Sequence, residues 1–226
     1  MKAKIEELKK QIVEVGKRTY DRGYVASNDG NISARIDNER VLVTPTGVSK
    51  GFLTTDMLVL VDFNGNSLEE GKKASSEIFM HLQIYKDRPD VMSVNHSHPP
   101  YATGYAVAGR SLDKYVLPEV IIALGKIPLV KYGTPGTPEL SEPLIPLLPY
   151  YDAFLLENHG ALAVGNSVLN AYHKMETLEH FAKINFIAEQ IGTVNELNEE
   201  QIKKLIAQRK KYGIRENIDK PEIKLK

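Results

Sequence analysis

Apolar residues recur at Ile5, Leu8, Ile12 and Val15, a spacing that predicts a helix over residues 5–20 with most charges off the stripe. Thr19 continues the stripe by spacing, and Arg22-Gly23 ends it. A turn-forming cluster, Ser27-Asn28-Asp29-Gly30-Asn31, follows. Residues 32–36 and 41–44 read as two short strands, and residues 58–63 as a β-branched third before the Asn64-Gly65-Asn66 turn. Ser75 or Ser76 can cap a helix that runs through Glu77, Ile78, Phe79, Leu82 and Tyr85 and stops before Pro89. Residues 91–98 read as a strand ended by Pro99-Pro100, and residues 101–108 as a helix. Residues 116–124 fit either a strand or a helix. Residues 153–156 and 161–164 are strands around a tight Asn158-His159-Gly160 turn, and Ser167 opens a long helix over residues 168–191.

Strands mixed irregularly with helices point to an α/β or α+β domain, not a regular βαβ repeat. At 226 residues the chain reads as a single domain, residues 1–226, with a core over about 5–190. A basic helix and tail occupy about 198–226. From Ile202 onward there are nine Lys+Arg and three Asp+Glu. The bland reading of that surplus is a solvated helix; the alternative is a tail folded over a neighbouring subunit or an anionic ligand.

Over the whole chain 29 basic and 29 acidic residues cancel, so no basic excess suggests a nucleic-acid partner. No apolar run is long enough for a spanning helix, and the charged N-terminus is unlike a signal peptide. The expectation is a soluble, cytoplasmic protein with no membrane partner. The chain has no cysteine, which removes disulfides, thiolate zinc sites and cysteine nucleophiles. A transition metal would rest on His, Asp or Glu.

Two of the six histidines stand in Asn95-His96-Ser97-His98 at a strand end. Residues i and i+2 of a strand face one way, so the pair can grip one ion or serve as polar strand-end residues. His159, in a tight turn between apolar strands, needs partners for both ring nitrogens, a hydrogen bond or a metal. Glu77 reads as a first-turn carboxylate favoured by the helix dipole. These three histidines and one carboxylate make a chemically suitable zinc set, although spacing leaves their convergence open. His81, His173 and His180 read as helix-surface or core-edge residues. Gly30-Asn31, Thr46-Gly47, Ser75 and Ser76 offer backbone N–H groups and hydroxyls suited to an anion, or ordinary turns and caps.

Taken together, Gly30-Asn31-Ile32-Ser33, Thr44-Pro45-Thr46-Gly47, Ser75-Ser76-Glu77, Asn95-His96-Ser97-His98 and Asn158-His159-Gly160 resemble, in order, the class II aldolase/adducin family. The resemblance implies a three-layer α/β/α sandwich with a central mixed, mainly antiparallel sheet. It also implies a cyclic homotetramer with zinc sites at subunit interfaces, with Mn2+ or Co2+ as alternative ions. By motif, His96, His98 and His159 would be metal ligands, and Glu77 a displaceable fourth ligand and acid/base. Asn31, Thr46, Gly47, Ser75 and Ser76 would hold the substrate phosphate. The implied activity is a carbon–carbon lyase, an aldolase cleaving a ketose 1-phosphate resembling L-fuculose 1-phosphate to dihydroxyacetone phosphate and an aldehyde. A dehydratase, decarboxylase or 4-epimerase on the same site, or a non-catalytic adducin-like module, is the alternative. Family 4-epimerases carry Asp where Glu77 stands, which favours an aldolase. The family's proton donor falls near Lys114-Tyr115-Val116-Leu117-Pro118-Glu119; Glu119 is the preferred candidate, with Tyr115 and the tail's Tyr212 as others.

Overall fold

The computed structural model describes residues 2–214. The last part of the expected basic tail, residues 215–226, lies outside the described residues. The chain opens with α1 (Lys2–Asp21), β1 (Asn31–Arg35), β2 (Arg40–Val43) and β3 (Val59–Asp62). Next come α2 (Ile78–Asp87), β4 (Ser93–Ser97), α3 (Pro100–Val107), α4 (Pro118–Ala123) and β5 (Leu129–Val130). β6 (Ala153–Leu156), β7 (Gly160–Gly165), α5 (Val168–Ile191) and α6 (Glu199–Lys211) complete it. The strands form one sheet in the order β3-β2-β1-β4-β7-β6-β5. All pairs are antiparallel except β5 with β6, so the sheet is mixed and mainly antiparallel, as expected.

Alternation along the strands divides the core into two apolar layers. Val41 and Val43, Phe154 and Leu156, and Leu162 and Val164 face α2 and the 3₁₀ turns at Pro138–Leu140 and Ile145–Leu147. Their neighbours Leu42, Ala153, Leu155, Ala161 and Ala163 face α1, α3, α4 and α5. Alanine on that second face leaves room for α3 and α5 to lie close to β6 and β7. The result is the three-layer α/β/α sandwich. Among the described residues no helix is long and apolar enough to cross a membrane.

The predicted helices and strands are present, and the ambiguous stretch resolves as α4, opened by Pro118 at its first turn. Ser167 caps α5, accepting from the Asn170 N–H. The capping expected of Ser75 or Ser76 is not what the chain does. Glu77 itself is the N-cap of α2 and its side chain bonds none of the free helix N–H groups, while Ser75 Oγ accepts only the Glu77 N–H, at 3.4 Å. The two serines therefore precede the helix, and Glu77 is not in its first turn. Helix α6 is also more than a solvated stretch. It opens on an Asn198/Gln201 capping box, and its Arg209 is buried, donating to the carbonyls of Ile121 and Ile122 on α4.

Candidate functional site

Sheet order brings the motifs together. Asn31 at the start of β1 pairs directly with His96 on β4, and β7 lies on the other side of β4. The β6–β7 turn carries His159, with Asn158 in the left-handed region at φ 54°. His98 stands one residue beyond the end of β4. Two glycines permit the close approach. Gly30 adopts φ 73°, and a Cβ there would lie 2.8 Å from the His96 carbonyl oxygen. A Cβ on Gly160 would lie 2.5 Å from the His98 ring and 2.8 Å from the Ser97 carbonyl.

His96, His98 and His159 meet with ring centroids 4.6 to 5.2 Å apart. One nitrogen from each lies within 4.8 Å of the others, near enough to share an ion. The Glu77 carboxylate joins them, with Oε2 3.3 Å from His96 Nε2 and Oε1 3.2 Å from His159 Nε2. Asn31 Nδ2 donates to Glu77 Oε2 at 2.6 Å. The side chain of Glu77 is thus turned into the sheet, which is why it does not cap its own helix.

A hydrogen bond fixes the tautomer of His96. His96 Nδ1 lies 2.9 Å from the Ala161 carbonyl, which can only accept, so Nδ1 carries the proton and the Nε2 lone pair faces the site. His98 Nδ1 faces Asp29 Oδ2 at 3.5 Å, leaving its Nε2 directed at His96 Nε2, 3.2 Å away. Two lone pairs aimed at each other at that distance need a cation or a proton between them. The donor set therefore fits a divalent ion: imidazole nitrogens, one carboxylate, a hydrogen-bonded outer nitrogen on His96 and an outer nitrogen on His98 that faces Asp29.

Burial pushes His96 down to about 3, with Glu77 opposing and the neighbouring imidazoles adding to the fall. Burial and His159 likewise lower His98, against the pull of Asp29. Both stay neutral and able to donate lone pairs at ordinary pH. Burial alone would raise the Glu77 carboxyl, but positive charge drawn to the His96 and His159 rings, with the Asn31 amide, lowers it.

Of the anion-type segments, Thr46-Gly47 and Ser75-Ser76 are tied together. Pro45 and Ala74 form an isolated bridge, the Thr46 N–H donates to the Lys73 carbonyl and the Ser75 N–H to the Thr44 carbonyl. Thr46, Gly47 and Ser76 are exposed, while Ser75 and Asn31 are buried. Gly136, in the loop Tyr132-Gly133-Thr134-Pro135-Gly136, approaches Ser76, the nearest atom 3.8 Å from where its Cβ would be.

The proton-donor candidates lie elsewhere in the chain. Glu119 is exposed at the start of α4 and lines a cavity with Arg22, Tyr24, Tyr101 and Lys183. Tyr115 stacks under Lys126, and its carbonyl accepts from the Leu197 N–H. Tyr212 is exposed beside Arg88, Asp152 and Gly165, at the end of β4 and β7 away from His96.

His173 and His180 are exposed on α5 as expected, but His81 is not a surface or core-edge residue. It is wholly buried, with Nδ1 2.7 Å from Ser33 Oγ, and burial pushes it down to about 4. Its folded value lies below the unfolded one, so between about pH 6.5 and 4 the unfolded chain binds the extra proton. Stability is then lost as pH falls through that window, at up to about 1.4 kcal/mol per pH unit. Urea denaturation at pH 7, 6 and 5 should show the decline, and His81→Asn should flatten it. An unchanged slope in the variant would assign the acid sensitivity to other groups.

Fold and site together define a class: an α/β/α sandwich enzyme with a three-histidine pocket and a carboxylate at its rim. The family model of the Class II Aldolase and Adducin N-terminal domain matches residues 10–186. The chain belongs to the class II aldolase and adducin family. It is 36% identical over 177 residues to L-fuculose phosphate aldolase of Methanococcus maripaludis, covering 78% of this chain and 95% of that one. It is also 36% identical over 183 residues to 3-oxo-tetronate 4-phosphate decarboxylase of Haemophilus influenzae, covering 79% and 86%. A solved L-fuculose 1-phosphate aldolase superposes with a TM-score of 0.83 at 28% identity, covering 92% of this chain and 97% of that one.

Proposed function

We propose that the chain is a zinc-dependent aldolase that reversibly cleaves a ketose 1-phosphate resembling L-fuculose 1-phosphate into dihydroxyacetone phosphate and an aldehyde. The observation that carries this reading is the Glu77 carboxyl group set against His96 and His159 and bonded by Asn31. His96, His98 and His159, with Glu77 as displaceable fourth donor, would hold the ion; Mn2+ or Co2+ could stand in for zinc. A bound divalent ion supplies Lewis acidity toward the carbonyl and adjacent hydroxyl oxygens of a substrate.

The remaining work falls to the chain. Glu77 takes the proton from, or returns it to, the reacting carbon, and its ionised state suits it to act first as a base. Asn31 fixes the direction of that carboxylate. Asn31 together with Thr46, Gly47, Ser75 and Ser76, the last four held in one place by the bridge between their loops, binds and orients the phosphate remote from the bond that breaks. Glu119, exposed on α4, is assigned as proton donor to the site of a neighbouring subunit in a homotetramer, with Tyr115 and Tyr212 as the other candidates.

A second reading, a sugar-acid phosphate decarboxylase, has two supports. The decarboxylase relative is as similar as the aldolase relative, and the Tyr132-Gly133-Thr134-Pro135-Gly136 loop, similar to one in such decarboxylases, lies against Ser76. Both reactions break a carbon–carbon bond beside a carbonyl. A coupled assay over ketose 1-phosphates, run beside 3-oxo-tetronate 4-phosphate, separates them. Dihydroxyacetone phosphate release without carbon dioxide is expected; carbon dioxide from the acid alone would move the protein to the second reading.

A further inference from the structure

A line of buried polar contacts runs between β1 and α2 through a layer that is otherwise apolar. Alternate residues of β1, Asn31, Ser33 and Arg35, face one side of the helix. Glu77, His81 and Tyr85, four apart, stand opposite. Asn31 donates to Glu77; Ser33 Oγ lies 2.7 Å from both His81 Nδ1 and Tyr85 OH; the Arg35 guanidinium donates to the Tyr85 carbonyl and lies over its ring. All six side chains are buried. Around them Val41, Val43, Met80, Ile84 and Val94 pack as ordinary hydrophobes.

Apolar packing alone tolerates small slides and rotations of a helix. A polar ladder does not, because displacement leaves buried groups unpaired at about 1–3 kcal/mol each. The ladder ends at Glu77, the N-cap of α2, whose carboxylate must reach His96 and His159 instead of its own helix N–H groups. His81 Nε2 has no partner, so the polar anchoring of that ring runs through Nδ1 to Ser33.

We infer that Ser33 and His81 are positioning residues that lock α2 against β1 and thereby set the Glu77 carboxylate at the three-histidine pocket. The inference rests on Glu77 being the fourth donor to the ion. Groups hydrogen-bonded to a metal ligand typically govern affinity by about 10- to 100-fold, and Ser33 and His81, one contact further back, fall at the lower end of that range, which makes zinc binding the readout.

The experiment is competition for zinc between chelator-stripped protein and a chromophoric chelator. Ser33→Ala and His81→Gln, which places its amide at the wrong ring position, should each bind zinc about 10-fold more weakly, while His81→Asn, whose amide replaces Nδ1, should stay within about 3-fold of the parent. Leu82→Ala, buried on the same helix but outside the ladder, lowers stability and should leave zinc affinity unchanged. Parent-like affinity in Ser33→Ala, or an equal loss in Leu82→Ala, would overturn the inference. Glu77→Gln separates the two levels. If it weakens zinc binding and Ser33→Ala does not, the positioning role alone fails. If it binds as the parent does, the ligand assignment of Glu77 fails and the inference falls with it.

Discussion

Replacing His96 with alanine is expected to strip the protein of its divalent ion and to lower lyase activity by about 10³-fold or more. The size follows from the several kcal/mol that a Lewis acid contributes, at about 1.4 kcal/mol per tenfold in rate. His96 is the central ligand candidate: fully buried, held by the Ala161 carbonyl, and 3.2 Å from His98 and 3.3 Å from Glu77. His173→Ala, on the exposed side of α5, is the control and should keep both metal and activity. Metal analysis after gel filtration, followed by the same assay, checks both variants. Equal metal loss from the two would undo the ligand assignment.

Glu77→Gln should lower kcat by about 10²- to 10⁴-fold at saturating zinc, with a much smaller change in KM, because general acid–base groups contribute that much to the chemical step. The glutamine keeps the volume and can still meet Asn31, so the fold should persist. What it loses is a group that can take a proton. Steady-state kinetics with the best substrate of the panel measures the split. A variant with parent-like kcat would leave the proton transfer to another residue, and Glu119→Gln would be the next to make. The loss in Glu119→Gln should appear in the same assay if the donor crosses a subunit boundary.

Much of this was legible in the residues. His96, His98, His159 and Glu77 read as a possible donor set from residue type alone, and their side chains meet in the fold. The two-layer core follows from alternation in residues 41–43, 153–156 and 161–164. Other features had no local signal. β5 is two residues long and owes its existence to a parallel partner, Leu155 and Leu156, far along the chain. The burial of His81 depends on Ser33, 48 positions away, so a helical wheel that sees only α2 puts it at an edge. Glu77 looked like a carboxylate serving its own helix because the sequence does not display Asn31 and the two rings that draw it away. Arg209 looked like one more solvated charge because the carbonyls it meets belong to α4.

The docking of α6 has a practical consequence. Arg209 reaches over the end of the short helix whose first turn carries Glu119, so the carboxyl-terminal segment works as a splint for that turn. Truncation should therefore stop short of α6, whereas the amino end, where α1 begins at an exposed surface, can be trimmed or extended. A clip after residue 198 would leave every residue of the histidine pocket in place while removing the brace under Glu119.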